Sequence, residues 1–99
     1  MKDVILSPSA LTDSEQARDW YERREPGLGY EFLDALDATI AKVAEYPGTF
    51  RFIRNPFRRC LMNRFPFMVV FEERDDCIWI LAVFHTSRNP GDLDRRILG

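Results

Sequence analysis

One histidine, His85, lies three residues before Arg88 and five before Pro90, in the phrase HTSRNP. An imidazole can take up or release a proton near neutral pH, and a guanidinium beside it supplies a permanent positive charge. Joined in space by Arg64 and Arg59, the pair would hold part of what RNA cleavage requires. That reaction needs a base for the 2′-hydroxyl, an acid for the leaving 5′-oxygen and cations around the phosphorane. The same groups could instead recognise another macromolecule without reacting with it. They could also serve the fold alone, with His85 hydrogen-bonded at the close of a buried strand and Arg88 paired to Asp92 or Asp94.

Charge along the chain extends the candidate surface. Residues 1–45 carry ten acids against five bases, a sum of −5; residues 46–71 carry five arginines and no acid, +5; residues 72–99 carry six acids against four bases, −2. These add to the net charge of −2. The arginines Arg51, Arg54, Arg58, Arg59 and Arg64 therefore form a basic band that could face nucleic acid or an acidic protein, although the overall balance argues against strong non-specific binding to polyanions. The plainer reading of Arg58 and Arg59, next to Phe57, is a charged sheet edge that discourages aggregation.

Metal and cofactor chemistry have little to work with. One histidine offers no ligand spacing, and Cys60 and Cys77 both fall inside apolar runs, where a thiol is a small buried hydrophobe. Neither a metal nor a cofactor is expected. Ninety-nine residues suit a single domain over 1–99. No apolar run approaches the roughly 20 residues of a membrane span, and MKDVILSPSA lacks the apolar core of a secretory signal, so the expected compartment is the cytoplasm.

These groups need elements to position them. Cys77 to Phe84 is apolar at every position but favours a pleated backbone, which predicts a strand buried on both faces, with His85 where it emerges. Asp3 to Ser7 reads as a first strand. Ser7 with Pro8, or Thr12 with Glu15, can cap a helix in which Ala10, Ala17, Trp20 and Tyr21 face inward and Asp13 faces solvent. Glu25-Pro26-Gly27 stops it. Leu28 to Tyr46 is more strongly amphipathic, with Leu33, Leu36, Ile40 and Val43 at helical spacing and Phe32 widening the stripe. The short break between them predicts an antiparallel helical hairpin. TFRFIRNPF, which lacks alternation, reads as a loop. Strands follow at Arg58 to Asn63 and Phe67 to Glu72, and Arg74-Asp75-Asp76 turns into the strand at Cys77. DLDRRILG could close the chain with a helical turn. The fold class is α+β: a strand, a helical hairpin and a three-stranded antiparallel meander that the hairpin covers.

In this order the phrases resemble a family. Arg58 and Arg59 before a strand, FPF at 65–67 followed by MVVF, then IWILAVFH and SRNP at 87–90, with SPSA near the start and YPGTF after the second helix, look like the RelE/ParE superfamily of bacterial toxins. The H-x-x-R-x-P ending carried by His85, Arg88 and Pro90 is similar to the ParE-like branch. RelE-like nucleases are typically basic and often carry an aromatic residue in the tail, which DLDRRILG lacks. The resemblance implies the toxin of a type II toxin–antitoxin system, acting on DNA gyrase through Arg51, Arg54, Arg58, Arg59, Arg64, His85 and Arg88. The alternatives it leaves open are a ribosome-dependent mRNA endonuclease using His85, Arg64, Arg88 and Arg59, and a non-toxic structural relative. It further implies a cognate antitoxin wrapped on the hairpin near Trp20, Tyr21, Phe32 and Leu36. The −5 charge of residues 1–45 suggests basic residues in that partner.

Overall fold

A computed structural model describes residues 2–99. The elements run β1 (Asp3–Leu6), α1 (Pro8–Arg24), α2 (Leu28–Glu45), a 3-10 turn (Pro47–Thr49), β2 (Phe52–Arg54), β3 (Phe57–Leu61), β4 (Phe67–Glu73), β5 (Cys77–His85) and α3 (Pro90–Leu98). The five strands form one sheet in the order β1-β5-β4-β3-β2. β3, β4 and β5 make the expected antiparallel meander, and β1 pairs parallel to β5. This parallel pairing is possible because the whole hairpin and meander separate the two strands in the chain. The strand over Cys77–His85 is interior, lying between β1 and β4, as its apolar composition demands.

Ser7 rather than Thr12 starts α1. Its hydroxyl accepts from the Ala10 N–H at 3.0 Å, and Pro8 occupies the first turn, where its missing N–H costs nothing. Ala10, Ser14 and Ala17 form the buried stripe. In α2 the stripe is Gly29, Phe32, Leu36, Thr39 and Val43, a three-four spacing through Phe32; Leu33 and Ile40, predicted as its centre, are half-buried flanks. Gly27 joins the helices at φ +90°, a conformation that an L side chain adopts only with strain, and the Glu22 carboxylate accepts from the N–H groups of Gly27 and Gly29. At Gly29 a Cβ would lie 2.7 Å from the Arg18 carbonyl oxygen, so the helices cross where only glycine fits.

The hairpin covers one face of the sheet. Phe32, Leu36 and Val43 pack on Cys60, Val69, Phe71, Ile78, Ile80 and Val83, all buried. A second, smaller core of Val70, Ala82, Phe84 and Leu93 occupies the opposite face, beneath α3. The closing segment is thus a nine-residue helix with its own core, capped by Asn89 through the Gly91 N–H at 2.9 Å, and not a single turn. The segment read as a loop contains β2, a three-residue edge strand paired with β3 across an irregular register and the cis Asn55–Pro56 bond. Among the described residues no helix is long and apolar enough to cross a membrane.

Candidate functional site

β4 alternates regularly, placing Phe67, Val69 and Phe71 on the hairpin face. β5 does not. Phe71 opposes Ile80, but Val70 opposes Ala82, so Leu81 is an extra residue, a β-bulge. Ile78 and Ile80 face the hairpin before it, and Val83 does so after it. The parity of the strand is reversed, and His85 emerges on the hairpin face, its ring edge-on to Phe67 at 4.9 Å. Phe67 continues into an aromatic cluster with Phe32, Tyr21 and Phe65 at centroid distances of 5.1 Å (Phe32–Phe67), 5.5 Å (Tyr21–Phe32) and 4.9 Å (Tyr21–Phe65). Burial pushes the Tyr21 phenol above its ordinary value.

The bulge also leaves backbone groups without a strand partner, because β1 pairs with β5 only as far as Leu6 opposite Ile80. The Ser7 hydroxyl donates to the Leu81 carbonyl at 3.0 Å, and the Asp13 carboxylate accepts from the Val83 N–H at 3.0 Å. Asp13 also holds Arg96 of α3 at 2.5 and 3.2 Å, and its side chain is only 8% exposed. It was expected to face solvent. Its position three residues after Ala10 and four before Ala17 places it on the apolar stripe, and a carboxylate at that spacing was the available signal.

Between α1 and the ends of β4 and β5 lies a cleft of about 430 Å³, walled by Ala17, Trp20, Tyr21, Pro66, Phe67 and Val83, with Asp13, Gln16, His85 and Arg88 at its border. A more polar hollow of about 370 Å³ adjoins it, sharing Asp13, Gln16 and Arg88 and adding Pro8, Ser9, Thr12 and Arg96. Together they make one groove along α1. His85 and Arg88 face this groove on the same side, so the chain does bring the central pair together.

The His85 Nδ1 accepts from the Ser87 N–H at 3.1 Å and lies 2.8 Å from the Ser87 hydroxyl. Since a backbone N–H can only donate, Nδ1 is the acceptor nitrogen, and in the neutral ring Nε2 carries the proton. Arg88 lies over the Phe84 ring at 4.9 Å and pairs with Asp92 at 3.3 Å, the partner that the plain reading named.

The other arginines do not join them. Arg64, in a left-handed conformation at φ +73°, pairs with Glu31 of α2 at 2.6 Å. Arg59 opposes Val70 and therefore projects from the α3 face, away from His85. Arg58 projects to the other side, where it donates to the Phe50 carbonyl at 2.8 Å and stacks over Phe52 at 3.8 Å. Arg54 approaches Asp94 of α3 at 3.8 Å, and Arg51 makes no ion pair among the described residues. The continuous basic band of the sequence is thus divided between two faces of the sheet, because consecutive residues of a strand point opposite ways.

Of the four residues expected to meet an antitoxin, Trp20 is 47% exposed and Tyr21 half-buried, and both line the cleft. Phe32 and Leu36 are 0% and 3% exposed, so they belong to the core and offer no surface. Among the described residues no group of three His, Cys, Asp or Glu side chains could hold a metal ion.

A family model described as ParE toxin of type II toxin-antitoxin system, parDE, matches residues 4–90. No curated protein matches the chain in sequence. Among solved structures, one titled "Chromosomal ParDE TA system from P. aeruginosa" is similar with a TM-score of 0.65 at 17% identity, over 88% of this chain and 98% of that one. At this identity the likeness establishes the fold, the expected β-α-α-β-β-β order with the added α3.

Proposed function

Because this chain belongs to the ParE toxin family of type II toxin–antitoxin systems, we propose that it inhibits bacterial growth by binding DNA gyrase in the cytoplasm, and that a cognate antitoxin neutralises it. The reading is of a binder, not a nuclease, and the observation that carries it is the dispersal of the cationic groups. A nuclease would draw on His85, Arg88, Arg64 and Arg59 at one phosphate, since transition-state charge is stabilised only by groups already aimed at it. Here Arg64 is held by Glu31, and Arg59 projects from the sheet face opposite His85. The nitrogen of His85 that could act as a base, Nδ1, is occupied by Ser87. A general base must reach the proton it removes, and this one is turned into its own loop.

The test is expression of the chain alone from an inducible promoter, followed by growth, supercoiling by purified gyrase, and mapping of mRNA 5′-ends. Growth arrest with impaired supercoiling and intact messages is the expected result. New cleavage ends with normal supercoiling would replace gyrase binding with RNA cleavage, and unimpaired growth would remove the toxin reading altogether.

A further inference from the structure

The sheet face beneath α3 is only half covered. α3 packs on β5, where Leu93 closes over Val70, Ala82 and Phe84. The β3 end of the same face lies open: Leu61 is 55% exposed, and Met68, directly across from it on β4, is half-buried. Arg59 stands between Phe57 and Leu61 on this face, since it opposes Val70. Arg51 joins it. The Arg51 carbonyl accepts from the Arg59 N–H at 3.0 Å, which sets these two residues opposite each other at the sheet edge, while the adjacent pair, Phe52 and Arg58, projects to the other side. Side chains so opposed have Cβ atoms roughly 4.5–5.5 Å apart, and like charges in that position destabilise a sheet. Nothing in the fold relieves the pair. Neither Arg51 nor Arg59 enters an ion pair among the described residues. The acids on this side are spent on other cations: Glu72 on Arg74, Asp94 on Arg54, and Asp92 on Arg88 and Arg95. A local feature that costs stability with no compensating contact inside the chain is of the kind that function retains.

We infer that this open face, with Leu61 and Met68 at its centre and Arg51 and Arg59 at its border, is the surface that engages the target, and that it meets a protein patch with an apolar centre flanked by carboxylates. This rests on the gyrase-binding reading above and names the part of the chain that carries it. The magnitudes favour protein over DNA as the occupant. Two surplus cations neutralise about two phosphates, where strongly salt-dependent DNA binders make roughly 6–10 phosphate contacts, and the net charge of −2 opposes a polyanion. Leu61 and Met68 offer nothing to a phosphate backbone, whereas arginine and methionine around an apolar centre are enriched at protein interfaces. The groove along α1 plays no part, because His85 and the cleft lie on the hairpin side of the sheet.

The test titrates the fluorophore-labelled full chain with purified gyrase, and separately with duplex DNA, alongside growth on induced expression. Arg51→Glu and Leu61→Asp should each weaken gyrase binding by at least roughly tenfold and relieve growth arrest at equal expression. Arg23→Glu makes the same change of charge at an exposed position near the end of α1 and should bind as the unaltered chain does. Arg51→Glu also places a carboxylate opposite Arg59, so its Tm should be no lower than that of the unaltered chain, a loss of binding that a folding defect cannot produce. If Arg51→Glu and Leu61→Asp bind gyrase as tightly as the unaltered chain, the contact lies elsewhere and the inference is overturned, with gyrase binding still standing. Arg51-dependent binding to duplex DNA, with none to gyrase alone, would overturn it by making nucleic acid the occupant. If the unaltered chain arrests growth without binding gyrase, the gyrase reading has failed, and the face is judged on arrest: variants that still arrest growth overturn it, and folded variants that no longer do so support it for another target. No arrest and no binding by the unaltered chain would end both.

Discussion

Replacing Asp13 with alanine tests how the groove is held. The carboxylate accepts the Val83 N–H and two bonds from Arg96, linking α1, β5 and α3 at one point. Alanine removes the acceptor of the Val83 N–H, which costs about 1–3 kcal/mol for an orphaned buried donor. The ion pair adds less than a fully buried one would. Arg96 is 21% exposed and can turn to solvent, so about 1 kcal/mol applies in place of the roughly 3–5 kcal/mol of a stranded buried charge. The sum is about 2–4 kcal/mol, a large share of the roughly 5–15 kcal/mol that stabilises a domain. Asp13→Asn keeps an acceptor for Val83 and should cost about half as much. Urea unfolding followed by tryptophan fluorescence, with Arg96→Ala and the double variant completing a cycle, separates the two contributions. Amide exchange at Val83 should accelerate in Asp13→Ala. If Asp13→Ala unfolds within about 0.5 kcal/mol of the unaltered chain, the carboxylate is not the anchor of the strand end and the account is wrong.

Two further outcomes follow from the arginines and the thiols. Arg58→Ala loses the bond to the Phe50 carbonyl and the stack on Phe52, and should destabilise by about 1.5–3 kcal/mol, whereas Arg51→Ala should change stability by less than about 0.5 kcal/mol; chemical denaturation reads both. A loss of toxicity in Arg51→Ala would therefore report a contact, and one in Arg58→Ala would report the fold. Burial raises the Cys60 and Cys77 thiols above the ordinary 9.0, with Asp76 adding to the effect at Cys77. In the unfolded chain both ionise first, so their contribution to stability is intact at neutral pH and declines as pH rises beyond about 9. Labelling by a disulfide reagent at pH 8 should accordingly be slow in the native protein and fast in urea, and fast native labelling would contradict the burial.

The hairpin was legible because helices announce themselves through period and punctuation. Ser7-Pro8 and Pro26-Gly27 bracket α1, and the apolar spacing of α2 repeats over 18 residues, long enough to stand above noise. The meander was legible for a similar reason, since each strand ends at a turn signal. β2 was not. Three residues give no alternation to read, and it forms only because the β3 edge offers it backbone partners. α3 is also governed by its surroundings: Leu93 and Ile97, four residues apart, find an apolar sheet face waiting for them. Asp13, read as facing solvent, and Glu22, one of the acids in the −5 charge of residues 1–45, are spent on backbone N–H groups that only the tertiary arrangement brings near.

The orientation of His85 illustrates what pattern reading cannot supply. A strand that is apolar on both faces carries no phase, so nothing in Cys77 to Phe84 tells which parity meets the hairpin. With unbroken alternation, Ile78, Ile80, Ala82 and Phe84 would share one face and His85 would leave on the other, beneath α3. The extra residue at Leu81 moves it across, into the groove beside Tyr21 and Phe67. A bulge survives only if the groups it frees are satisfied, and here the partners come from the opposite end of the chain: the Ser7 hydroxyl for the Leu81 carbonyl and Asp13 for the Val83 N–H, 74 and 70 residues away. Ser7 starts α1 with the same hydroxyl, so the element that walls the groove and the irregularity that furnishes it depend on one side chain. A candidate site at the end of β5 is therefore specified as much by the residues before Ser14 as by the phrase that contains the histidine.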